Sequence, residues 1–278
     1  MMWKIEKPEL SRAKGKDIRE LIANCDKLDD TIKQSLKTLY QQYDDQNGSV
    51  TDEQLGAIVK EKAEAIHGMY DKTYENKPLA YIRDELTANV YKCPYCSIAQ
   101  PNTLDHYMPE SQYKALAVCR MNLVPMCGVC NNYKGTKSYH KFIHCYYDDL
   151  PAGSPFFVAK VYTVKQRFVV KYSFDSASIG DASLESRLKY QEQEIRLFKR
   201  INKETVVFLN TLCRSCEVND TVSLKLWLGR RLNDNEEDFG RNDWRCAVLR
   251  GLLAYPKLDI AQIKYNRANP RRINGGGD

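Results

Sequence analysis

Cys93-Pro94-Tyr95-Cys96 and Cys127-Gly128-Val129-Cys130 enclose thirty residues, among them Leu104-Asp105-His106-Tyr107-Met108-Pro109 and Asn122-Leu123-Val124-Pro125. The second pair runs directly into Asn131-Asn132-Tyr133-Lys134-Gly135. A CxxC turn aims both sulfurs at one point, and two such turns complete a tetrahedral thiolate shell around Zn²⁺. Gly128 lets the second turn bend sharply. Neither pair stands in the strand-to-helix setting of a redox dithiol. Cys93, Cys96, Cys127 and Cys130 therefore read as a structural zinc site, with no coordination position left open for chemistry.

A third pair, Cys213-Arg214-Ser215-Cys216, falls in an apparent helix without a second pair nearby, and Cys246 alone completes no shell. These read as ordinary helical cysteines, and Cys25, Cys119 and Cys145 as core or surface residues.

The residues between and just after the turns suit phosphodiester hydrolysis, which needs a deprotonated water, a cation near phosphorus and accurate placement. His106 is the natural general base, since neutral imidazole near pH 7 can accept a proton from water. Asp105 offers a hard carboxylate oxygen and Asn131 an amide oxygen, a set suited to Mg²⁺ or Mn²⁺. Asn132 competes for the ligand role, and Asn131 is preferred because it directly follows Cys130. Lys134, one turn after Asn131 on an expected short helix, would face the same phosphate and stabilise developing charge. Lys114 and Lys137 read as solvated lysines. His67 ends a helix, while His140 and His144 are helical neighbours expected to touch phosphate or nothing.

The order CxxC, Asp105-His106, Asn122, CxxC-Asn131-x-x-Lys134-Gly135 resembles the HNH branch of the ββα-metal nucleases over about 45 residues. The resemblance implies Asp105 and Asn131 as ligands of the catalytic ion and His106 as base. It adds a role for Asn122, which in the family hydrogen-bonds the loop backbone so that the histidine strand keeps its register. Many relatives carry histidine where this chain has Asn131, and asparagine favours Mg²⁺ or Mn²⁺ over zinc as catalytic ion. Leu104-Asp105-His106-Tyr107-Met108-Pro109-Glu110-Ser111, with Asn122-Leu123-Val124-Pro125, is similar to the nuclease subunit of Septu-type anti-phage systems, including retron-associated ones. Ile5-Glu6-Lys7-Pro8 fits the same group. That likeness implies a partner ATPase.

Outward from the motif, charge is uneven: residues 1–92 are net −2, residues 93–145 net +3 and residues 146–278 net +5. A basic excess beginning at the cysteine motifs suits a phosphate backbone, and the resemblance implies DNA more than RNA. No apolar run reaches the roughly 20 residues of a membrane span. Met1-Met2-Trp3-Lys4-Ile5-Glu6-Lys7 lacks a secretory core, so a cytoplasmic protein is expected.

The fold class reads as α+β, a mostly helical chain around a central ββα-metal core. Helices are expected from Leu10 to Leu28, from Thr31 to Tyr43 and from Thr51 towards Met69, the last opened by a Thr51/Gln54 capping box. No chemistry is assigned to this N-terminal helical region, residues 1–89. The core occupies residues 90–147. Residues 148–273 hold a hairpin over 156–174, with 163–167 as connection, then helices from Leu184 past Phe198 and over 203–216, 222–233 and 238–254. Residues 274–278 form a flexible tail. Besides a nuclease effector, two readings stand: a free-standing restriction- or homing-type HNH nuclease, and a non-catalytic zinc-knuckle nucleic-acid binding module.

Overall fold

Apolar residues three and four apart in the first 90 positions form helices, as their spacing predicts. In the computed structural model, which describes residues 4–151 and 153–271, α1 (Leu10–Arg12) passes through a π-helical turn at Ala13–Asp17 into α2 (Ile18–Ala23). This helix stops short of the expected end at Leu28. α3 (Lys33–Asp45) buries Leu36, Leu39, Tyr40 and Tyr43, and the left-handed pair Asn47 and Gly48 terminates it. The helix expected from Thr51 forms as two, α4 (Asp52–Gly56) and α5 (Lys60–Gly68), because the chain is extended at Val59. Its capping box is present: Gln54 N donates to Thr51 Oγ1 at 3.3 Å and Thr51 N donates to Gln54 Oε1 at 2.8 Å. α6 (Ala80–Thr87) follows.

β1 (Thr103–His106) and β2 (Leu123–Met126) then pair antiparallel, with Thr103 opposite Met126 and His106 opposite Leu123. α7 (Gly128–Lys134) begins two residues after β2. Pro125, which donates no backbone hydrogen bond, is tolerated because both strands of a two-stranded sheet are edges.

Two compact units divide the chain, one from residues up to 95 with 99–149, the other from residues 150 onwards with 96–98. The helical region and the motif segment, read separately in sequence, thus fold as one unit. A buried ion pair shows why: Arg120, 3% exposed, donates to Asp17 Oδ1 at 2.8 Å and to Glu85 Oε2 at 3.0 Å. A buried guanidinium stripped of its carboxylates would cost several kcal/mol, so the loop between β1 and β2 is tied to the π-helical turn before α2 and to α6.

In the other unit, β3 (Phe157–Val164) and β4 (Arg167–Phe174) form the expected hairpin with a tighter connection. Only Lys165 and Gln166 turn, both left-handed with φ 47° and 62°, the backbone of a two-residue turn that matches strand twist. α8 (Ser176–Ile179) and α9 (Ala182–Glu194) follow, and α10 (Leu197–Ser215), α11 (Thr221–Phe239), α12 (Trp244–Leu253) and α13 (Ile260–Ala268) complete the described chain. The helix expected to run from Leu184 past Phe198 breaks because Arg196 is left-handed at φ 52°. α13 has no counterpart in the sequence reading, although Asp259 caps it by accepting from Gln262 N at 2.7 Å. The tail at 274–278 lies outside the described residues. No helix of the described residues is long and apolar enough to cross a membrane.

α12 packs on β3 so closely that a methyl group at Gly251 would collide with the Ala159 carbonyl oxygen and lie 2.9 Å from Val161 Cγ2. At Gly229 in α11 the same methyl would meet open space. Gly251→Ala should therefore lose about 1–3 kcal/mol in urea unfolding, whereas Gly229→Ala should be neutral or gain up to about 1 kcal/mol. Equal stability of Gly251→Ala and the parent would contradict this packing.

Candidate functional site

Cys93, Cys96, Cys127 and Cys130 are all buried, and their sulfurs lie within 4.8 Å of one another. A tetrahedral shell with metal–sulfur bonds of about 2.3 Å separates sulfurs by about 3.8 Å. The four form a cluster able to bind a metal such as zinc with little rearrangement. The backbone explains the convergence. Cys93 N donates to Ala99 O at 2.8 Å and Ser97 is left-handed at φ 52°, which curls the first turn back on itself. In the second turn Cys127 caps α7, its Sγ accepting from Cys130 N at 3.5 Å. Arg200 Nη2 donates to Cys96 Sγ at 3.5 Å, a cation placed where it favours thiolate.

The 96–98 stretch is held by the start of α12. Arg245 Nη2 donates to Ser97 O at 3.1 Å, and the Ser97 hydroxyl donates to Asp243, the cap of α12. Among the described residues no second group of three or more His, Cys, Asp or Glu side chains converges, so Cys213, Cys216 and Cys246 stay buried cysteines, as do Cys119 and Cys145; Cys25 is half-buried.

Behind the second turn, strand and helix periodicities meet. Thr103 and Asp105, two apart on β1, share one face, and Asn131 and Lys134, three apart on α7, share another. The faces touch: Asn131 Nδ2 donates to Thr103 Oγ1 at 3.1 Å, and Lys134 Nζ lies 2.9 Å from Asp105 Oδ2. Because Asn131 gives its amide nitrogen to Thr103, its oxygen is the atom left for a cation.

Lys134 sits differently from the expectation that it faces a phosphate. It is fully buried, and its ammonium donates to the carbonyls of His106 at 2.8 Å and Tyr107 at 3.3 Å. Its contact with Asp105 is close but off the hydrogen-bonding direction, so Asp105 Oδ2 is a buried oxygen without a well-aligned donor. Burial raises the Asp105 pKa, and Lys134 opposes that rise only in part. A carboxylate in this state gains from a cation, so Asp105 with the Asn131 amide fits a hard divalent ion.

Asp105, His106 and Asn131 line one cleft of about 390 Å³. His106 Nε2 lies 2.9 Å from Ala117 O. A carbonyl only accepts, so Nε2 carries the proton and Nδ1 is left as the basic nitrogen. Burial lowers the His106 pKa to about 4, with the Ala117 bond opposing, so the ring is neutral at neutral pH. Glu110 Oε2 sits 3.4 Å from His106 Nε2 and 3.7 Å from His67 Nε2.

Asn122 is fully buried and bonds through both ends of its amide. Nδ2 donates to Met108 O at 3.1 Å and Leu116 O at 3.3 Å, while Oδ1 accepts from Met108 N at 2.8 Å and the Tyr43 hydroxyl at 3.1 Å. It closes the long loop from β1 to β2.

The N-terminal helical region, to which the sequence assigned no chemistry, supplies Tyr70, Tyr74 and Arg83 to the cleft wall. Tyr70 donates to Leu104 O at 2.8 Å and its ring centre lies 4.5 Å from that of His106. Of the remaining candidates, His144 is a core residue, bonded to the Tyr43 hydroxyl at 3.1 Å. Lys114 pairs with Glu64, His140 is exposed, and Lys137 is exposed with its ammonium on Tyr133 O. Comparison of the chain with protein-family models, curated proteins and solved structures finds no match.

Removing the Asn122 amide would leave the buried N–H and carbonyl of Met108 without their partner, at roughly 1–3 kcal/mol each before relaxation. Asn122→Ala should lose about 3 kcal/mol or more in urea unfolding. A loss below about 1 kcal/mol would show that the loop does not depend on it.

Proposed function

We propose that this protein is a metal-dependent HNH endonuclease that hydrolyses phosphodiester bonds, DNA in preference to RNA. The observation that carries the reading is the meeting of Asp105, His106 and Asn131 along one cleft, on two antiparallel strands and a helix flanked by four clustered cysteines. On this reading β1, β2 and α7 are the ββα-metal core, and Cys93, Cys96, Cys127 and Cys130 hold a structural zinc ion.

Each side chain then has a task. His106, neutral and donating Nε2–H to Ala117, takes a proton from the attacking water at Nδ1. Asp105 and the Asn131 amide oxygen would hold a Mg²⁺ or Mn²⁺ ion, which would supply neutralisation of the charge that develops during hydrolysis. Lys134 keeps Asp105 and the β1 carbonyls in place from behind, a positioning role in the interior. Asn122 keeps the loop after His106 closed.

One such centre cuts one strand, so cleaving a duplex calls for two copies, successive nicks or a partner that presents the substrate. The likeness to Septu-type and retron-associated systems supports a cytoplasmic anti-phage effector acting with a partner ATPase.

The test is cleavage of plasmid by the purified protein with Mg²⁺ or Mn²⁺, alone and with a co-expressed ATPase. His106→Ala should slow cutting by about 10²–10⁴-fold, the usual share of a general base, while melting like the parent. Cutting only with the ATPase supports the effector reading, and cutting alone a free-standing nuclease. No cutting in any mixture, or parent-like cutting by His106→Ala, would overturn the assignment.

A further inference from the structure

We infer that Arg83, outside the motif segment, is a phosphate-binding residue, holding the nucleic-acid backbone in the cleft that Asp105 and His106 also line. The inference rests on the nuclease reading above and adds to it a site on α6. Arg83 is half-buried, and it is the sole lysine or arginine among the described residues that line the cleft. It makes no ion pair with a carboxylate among the described residues. Its partners are neutral: Nε donates to Thr73 O at 3.3 Å, Nη2 approaches Thr73 Oγ1 at 3.5 Å, and the guanidinium lies 4.6 Å over the Tyr74 ring.

Compare the other buried cations. Arg120 bonds to Asp17 and Glu85, and Lys134 lies beside Asp105. Partial desolvation of a cation without an anion is unfavourable, and at Arg83 an incoming anion would relieve it. The rest of the cleft sharpens the point. Asp105 and Glu110 line it too, so a phosphate entering the cleft gains from positive charge elsewhere on its wall. The guanidinium is already oriented by Thr73 and the Tyr74 face, so little side-chain freedom is lost when its fork grips two phosphate oxygens.

The test measures binding rather than cutting. A short fluorescein-labelled DNA oligonucleotide is titrated with the full-length His106→Ala protein at several salt concentrations. In that background Arg83→Gln should weaken binding severalfold and reduce the slope of log affinity against log salt by about one phosphate contact. Arg83→Lys should restore the slope with weaker affinity, a pattern that mere loosening of α6 would not produce. An unchanged slope in Arg83→Gln, or no oligonucleotide binding by the parent, would overturn the inference. If Arg83→Gln does not fold, the Arg83 Nε–H resonance, assigned with Arg83→Lys, is followed instead. It should shift on oligonucleotide addition, and a stationary resonance would overturn the inference. The two proposals fail separately: parent-like plasmid cutting by His106→Ala overturns the nuclease assignment, and an unchanged salt slope in Arg83→Gln overturns the role of Arg83.

Discussion

Four buried sulfurs within 4.8 Å of one another gain little as neutral thiols, which pack only as small apolar groups, and much as thiolates around a metal. The second of the two turns is also the first turn of α7, capped by Cys127. Whatever holds Cys127 and Cys130 in place therefore sets where Asn131 stands, one residue on, and where Lys134 enters the interior. From there the periodicities of strand and helix bring Asn131 to Thr103 and Lys134 to Asp105.

The electrostatics of the cleft follow from this packing. Lys134 spends its hydrogen bonds on two β1-side carbonyls and leaves Asp105 with a charge contact but a poorly aligned donor. The carboxylate is thus held rigidly, is raised in pKa by burial, and still has capacity for a cation. His106 is fixed by opposite means, a hydrogen bond to Ala117 and the Tyr70 ring, which leave it neutral and oriented. On the proposed reading, a buried carboxylate that gains from positive charge beside an uncharged imidazole would divide the labour that hydrolysis by a bound ion and a base requires.

Much of this was legible in the sequence because it is local. The CxxC spacing, the Thr51/Gln54 capping box and the alternating residues of the 157–174 hairpin each announce themselves within a few positions. The order of Asp105, His106, Asn122 and Asn131 singled out residues that meet at one cleft or brace its loop. What was not legible is tertiary. Helical spacing puts Lys134 on the face of Asn131, but only the position of β1 makes that end of the face interior. Tyr70 and Arg83 lie in a stretch with no motif, and they reach the cleft because Arg120 binds Asp17 and Glu85 and draws the N-terminal helices onto the loop. The break at Arg196 is a single left-handed residue within an otherwise helical pattern, invisible to periodicity.

The most direct measurement is metal content and ligand-field spectroscopy of the intact protein. Purified chain should carry one tightly held zinc ion, and cobalt exchanged into its place should show the intense near-ultraviolet thiolate bands and visible absorption of a tetrahedral four-sulfur site. A protein that is fully folded by circular dichroism yet binds neither zinc nor cobalt through its cysteines would contradict the account.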